Sequence, residues 1–370
     1  MQPPPSPPPD YGGADFGWRV VETTLIVVVV LLLAGILWFA ADVLMLLFAA
    51  VLIATLLRAA TNGLVHLTGL ADGWSLAIVI LVVTGGLLVL GVLLAPRVAS
   101  QVPQLVTNLG GAIEGLEKSL GLGNLAAELT KDLRLRELLP SPAGILGGAT
   151  GIISSSFGTL ANAVIVVVLG IYLAGDPDLY IRGVARLMPP NARQGTRELL
   201  EEIGHALRWW MVGQLISMTA VGVLSYIGLS LLGVPLALSL ALVAFFMTFI
   251  PFIGPTLTAI PVVLVAFSKG PDTALYAFVL YVAIEMFEGY VLTPNVQRRS
   301  VSLPPALTIA AQVLIGVLLG ALGVALATPL AAAGLVAVNR LYVEDILGES
   351  PEKPAEAEAS RSSTRQSAAE

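Results

Sequence analysis

GVPLALSLALVAFFMTFIPFIGPTLTAIPVVLVAF, residues 233–267, is an apolar stretch too long for one bilayer crossing and broken near its middle by Pro251 and Pro255. Residues 303–338, LPPALTIAAQVLIGVLLGALGVALATPLAAAGLVAV, repeat its plan. Pro235 lies nineteen positions before Gly254, and Pro304 lies nineteen before Gly323. Ala237, Leu238, Ser239 and Ala241 match Ala306, Leu307, Thr308 and Ala310. A straight helix of more than 30 residues measures about 45–50 Å, against a hydrocarbon core of about 30 Å. Two half-length helices joined at a turn fit better, each entering and leaving on one side of the membrane. A repeated, interrupted apolar segment of this kind points to a transport site.

The rest of the chain agrees. It has 370 residues, 56% hydrophobic and only 12% charged, about half the charge of an ordinary soluble domain. Several apolar runs reach the roughly 20 residues that cross a bilayer, and they do not alternate as barrel strands do. The expected fold is an all-α polytopic membrane protein of about eight membrane elements, two of them re-entrant hairpins in an inverted repeat. There is no cysteine, which excludes disulfides and thiolate chemistry. His66 and His205 are far apart and lack metal-ligand spacing. No HExxH, GxSxG or Walker sequence occurs. The expectation is therefore a protein that is not an enzyme, without metal or cofactor, acting on a small molecule or ion rather than on nucleic acid.

Along the chain, residues 1–18 read as a disordered, proline-rich tail without the features of a signal peptide. Spans 1 to 3 fall in 19–96, at about 20–40, 43–57 and 74–95. Residues 97–144 form an amphipathic region outside the membrane, with Leu125, Leu129 and Leu133 at helical spacing among charges. Span 4 lies in 145–174, and a second polar helical region in 175–208. A core at 209–340 holds span 5, the hairpin at 236–267, span 6 and the hairpin at 306–338. Residues 341–370 are a polar tail. With both hairpins re-entrant and the N-terminus inside, 13 Lys and Arg fall inside and 6 outside. That asymmetry puts both termini in the cytoplasm and inverts the two repeats.

Glu285 and Glu288 stand three apart in span 6, on one helix face. Carboxylates in a membrane span are costly and face protein or water. They are the candidates for a proton or cation site, or for pairs with Arg298 and Arg299. Gln214, Thr248 and Gln312 are further intramembrane polar groups that bind a solute or bridge helices. Pro251, Gly254 and Pro255 mark one hairpin tip, Gly320 and Gly323 the other. The two tips are expected to meet at mid-membrane. Arg298 and Arg299 read as topology anchors.

These motifs, in this order, resemble the autoinducer-2 exporter family of bacterial membrane proteins over residues 165–340. The carriers are IYLAGD at 171–176, VGQ at 212–214, LLGVPLAL at 231–238, IPFIGP at 250–255, EGYVLTP at 288–294, LPPAL at 303–307 and GVLLGALGVALATPLAA at 316–332. Thr248, Phe252, Tyr290 and Pro304 stand where that family often carries Asn, Tyr, Asn and His. The resemblance implies an inner-membrane permease that exports a small polar molecule such as autoinducer-2 or exchanges sodium for protons. It also implies a homo-oligomer, plausibly a pentamer. A membrane scaffold that transports nothing, working through the polar arms, is the rival reading from another class.

Overall fold

A computed structural model describes residues 13–93, 96, 149–294, 303–344 and 347–348. The expected arm at 97–144, the first residues of the N-tail, Arg298, Arg299 and nearly all of the C-tail lie outside the described residues. Among the described residues every regular element is a helix. Five helices are long and apolar enough to cross a membrane, or six with one bent pair. The chain is a multi-pass, all-α membrane protein.

Two compact units divide it, Met1–Leu46 and Leu47–Glu370. The first holds α1 (Gly13–Phe39) and the opening turns of α2 (Ala41–Thr68), where Asp42 suits the positive end of the helix dipole. The second unit contains everything that follows.

Span 2 was expected to end near residue 57, but α2 runs to Thr68. Nothing in LLRAATNGLVHLT breaks a helix until Gly69, whose φ of 68° supplies the left-handed cap. Arg58, within that extension, pairs with Asp72 at 2.6 Å and donates to Gly175 O at 2.8 Å. It thereby joins α2 to the start of α3 (Asp72–Leu93) and the end of α4 (Ala149–Gly175). The chain then turns by 87° into α5 (Pro177–Arg186). Asp176 accepts from Leu179 N at 3.1 Å, with Pro177 in the first turn, so the cap and the proline together start the new helix.

The boundary expected at 208/209 falls inside one helix. α6 runs unbroken for 39 residues, Arg193–Leu231, about 58 Å at 1.5 Å per residue. No proline interrupts it, and the ion pair Arg197–Glu201 at 2.7 Å supports its polar opening turns.

The first broken segment is two helices, α7 (Ala237–Met247) and α8 (Ile253–Phe267). At about 16 and 22 Å neither crosses the hydrocarbon core alone, and the two pack against each other. α9 (Pro271–Phe287) follows and ends in a π-helical turn, Glu288–Leu292. The second broken segment is α10 (Pro305–Val338), which reverses at Gly320 (φ 66°, ψ −150°). That backbone is open only to glycine. Contacts sixteen and eight residues apart report the reversal: Gln312 with Thr328 Oγ1 at 3.2 Å, and the position of Gly316 with Val324. Both pairs are centred on Gly320, so one residue makes the turn where the sequence suggested the range 320–323.

Gly254 and Gly323, nineteen residues after their prolines, have the same job. A Cβ on Gly254 would collide with Met247 O, and one on Gly323 would stand 2.5 Å from Ile315 O. Each glycine lets the returning helix touch backbone seven or eight residues back. A core is drawn from α6 to α9, with Leu240, Val262, Val265 and Ala277 fully buried. Lipid is as apolar as these side chains, so close packing rather than water exclusion holds such helices together.

Candidate functional site

α9 carries Phe278, Tyr281, Glu285 and Glu288 at intervals of three, four and three residues. That spacing keeps them on one stripe of the helix. Facing them, α6 presents Trp210, Gln214 and Ser217, again at helical spacing. The turn between α7 and α8 closes a third side with Pro251, Phe252 and Pro255. Together these groups line a cavity of about 860 Å³.

The two carboxylates are held differently. Glu288 Oε1 accepts from Ser217 Oγ and from Thr293 Oγ1, both at 2.9 Å. The π-helical turn begins at Glu288, and such bulges often mark functional sites. Glu285 is half-buried, with its Oε1 shielded from solvent. One turn earlier Tyr281 is 4% exposed, and its hydroxyl lies beside the Glu285 carboxylate and Thr258.

At the hairpin turn, Phe252 adopts φ 65°, ψ −51°, and Ile253 N donates to Pro251 O at 2.8 Å. This is a strained γ-turn of positive φ. Two glutamines hold its surroundings. Gln214 donates to Thr248 O. Gln312, completely buried on α10, donates to Pro251 O at 2.9 Å.

Six of the residues expected from sequence therefore line one cavity: Gln214, Thr248, Pro251, Pro255, Glu285 and Glu288. Gln312 stands behind its wall. Gly254 lies inside the turn as a packing glycine. Gly320 and Gly323 do not line the cavity. The turn at Pro251 rests on the flank of α10, eight residues before Gly320, where the sequence reading had the two tips meeting. Pro251 O, already accepting from Ile253 N, takes a second bond from Gln312, the buried donor that reaches it. Arg298 and Arg299, expected as anchors or partners of the glutamates, lie outside the described residues. Sequence reading missed Ser217, Thr293, Tyr281 and Trp210. Their spacing from Gln214, Glu288 and Glu285 was the available signal. Among the described residues no three His, Asp or Glu side chains gather to hold a metal ion.

A bundle of membrane-crossing helices around a polar, carboxylate-bearing cavity defines the transporter class of membrane protein. The chain belongs to the AI-2E transporter family, whose model, described as "AI-2E family transporter", matches residues 26–342. A Mycobacterium tuberculosis relative, the proposed transport protein MT0215, is 31% identical over 288 residues, covering 74% of this chain and 76% of that one. The proposed permease PerM of Escherichia coli K12 is 28% identical over 300 residues, covering 76% and 82%. YueF of Bacillus subtilis, a proposed transport protein, is 28% identical over 184 residues, covering 49% of this chain. The chain spans about half the length of the two Bacillus relatives that it matches, 50% of YueF and 56% of YrrI.

Proposed function

We propose that this chain is a secondary transporter that moves a small polar solute through the cavity between α6, α9 and the two hairpins. Flux is coupled to protons or sodium at Glu285 and Glu288, and autoinducer-2 is the solute that the family relationship nominates. The protein works as a homo-oligomer in the bacterial inner membrane with both termini in the cytoplasm. Alternating access arises as the hairpins move against the scaffold of spans 1 to 4.

One observation carries this reading. Two carboxylates three residues apart share a cavity at a π-helical turn, one fixed by the hydroxyls of Ser217 and Thr293 and the other beside the hydroxyl of Tyr281. A membrane protein bears the cost of two such groups where ions are handled. The same observation favours sodium–proton exchange as a second reading, because a carboxylate pair takes either cation.

The test is flux in liposomes with and without imposed sodium and proton gradients, across pH, comparing the native chain with Glu288→Gln. The titratable groups lining the cavity are Tyr281, Glu285, Glu288 and Tyr290. The expected result is gradient-driven flux that loses its pH dependence in the variant. Flux indifferent to both gradients would make the protein a channel. No flux of any solute, with partner binding lost on deleting 104–138, would make it a scaffold.

A further inference from the structure

The cavity is larger than an inorganic ion requires. At about 860 Å³ it holds on the order of thirty waters at 30 Å³ each. It lies in the range of pockets that enclose drug-sized organic molecules, about 300–1,000 Å³.

The cavity carries hydroxyls and an amide, among them Gln214, Ser217, Thr248, Thr256 and Thr293, together with rings and carboxylates. Five aromatic side chains line it: Trp210, Phe252, Phe278, Tyr281 and Tyr290. Phe252 and Phe278 are each about half exposed, at 47% and 49%. Among them stand Glu285 and Glu288. The acidic pair does not stand alone as evidence: the volume of the cavity and the half-exposed rings of Phe252 and Phe278 belong to the same lining. Aromatic faces attract cations through their quadrupoles, most strongly where water is excluded. On α9 the order along one stripe is ring, ring, carboxylate, carboxylate. Phe278 and Glu288 are about 15 Å apart along that axis, enough to seat a bulky cation against rings at one end and charge at the other.

We propose that the solute recognised in this cavity is an organic monocation, an amine or onium compound with apolar substituents. Its charge is met by Glu285 and Glu288, and its apolar body by Phe252 and Phe278. This rests on the transporter reading above and names an organic cation as its substrate in place of autoinducer-2.

The experiment uses the purified full chain in detergent and equilibrium dialysis with labelled tetraphenylphosphonium. Tetraphenylborate, of the same size and opposite charge, is the control. Saturable binding of the cation, at least tenfold tighter than of the anion, is expected. Glu285→Gln with Glu288→Gln should weaken it tenfold or more. Phe278→Leu, which keeps apolar bulk and removes the ring, should weaken it several-fold. Gel filtration and melting temperature identify any variant that fails to fold, and Phe278→Leu keeps the test open if the double variant is lost. No saturable binding of the cation overturns the proposal, as does equal binding by folded variants. Tighter binding of the anion also overturns it and would bring Arg298 and Arg299 into the site. If the cation fails to bind while gradient-driven flux of a neutral polar solute persists, the transporter reading stands and only the organic-cation assignment falls.

Discussion

Gln312 on the second hairpin donates a 2.9 Å hydrogen bond to the carbonyl of Pro251, at the strained turn of the first. The same amide nitrogen reaches Thr328 Oγ1 at 3.2 Å, across its own hairpin. A fully buried side chain thus ties both halves of one hairpin to the turn of the other. Gln312→Leu should cost about 1 kcal/mol, the usual net worth of one hydrogen bond, since Pro251 O keeps its bond from Ile253 N, and appear as a lower melting temperature in detergent. The turn should also loosen. In this cysteine-free chain, a Phe252→Cys reporter should react faster with thiol reagents when Gln312 is replaced. An unchanged labelling rate would mean that the bond does not restrain the turn.

The two packing glycines make a paired prediction. Gly254→Ala and Gly323→Ala both force a methyl against backbone carbonyl oxygens, which cannot rotate away. Each should cost several kcal/mol, at the upper end for point changes, and reduce the yield of monodisperse protein. Gly334→Ala on the same helix as Gly323 is the control, since nothing lies within 4 Å of its Cβ position. It should be neutral or slightly stabilising through helix propensity. A similar loss in all three would show that generic helix packing, and not the hairpin reversal, is being measured.

Arg58 joins three helices, yet its partner Asp72 is 58% exposed. An exposed ion pair contributes at most about 1 kcal/mol. Asp72→Ala should therefore be mild. Arg58→Ala should cost more, because it also frees the last carbonyl of α4 at Gly175. Arg58→Lys should recover only part of the loss, since one ammonium cannot span both acceptors as a guanidinium fork does. Thermal melts of the three variants decide it. Equal effects of Asp72→Ala and Arg58→Ala would reduce the contact to a plain surface pair.

Re-entrance itself is open to labelling from each side. Ile253→Cys and Leu322→Cys sit just past the two turns. If the hairpins open to opposite faces, membrane-impermeant thiol reagents should reach one from the outside and the other from the inside. Labelling of both from the same side would remove the inverted repeat.

The sequence by itself determined the class of fold and where its helices break. Apolar runs with few charges have no stable home outside a bilayer, and the offset of nineteen residues picked out the two glycines that later proved to touch backbone. It also determined which residues were unusual for a membrane span, Glu285 and Glu288 above all, because a carboxylate within an apolar run must find protein or water to face. It misplaced the end of α2 and the start of α6: Arg58 reads as a span boundary until its partners Asp72 and Gly175 are known, and the polar helix at Arg197 and Glu201 reads as separate from the span that it continues into.

Only the tertiary structure decided who meets whom. Ser217 and Glu288 are 71 positions apart, and no local pattern announces that bond. The turn at Pro251 meets Gln312 and not the other turn, because Pro251 O has a second lone pair beyond its bond to Ile253 N and Gln312 is the buried donor that reaches it. The cavity likewise exists only once α6, α9 and the first hairpin converge. Three stripes, each legible as ordinary helical spacing, acquire a shared volume and a chemistry through distances that periodicity does not encode.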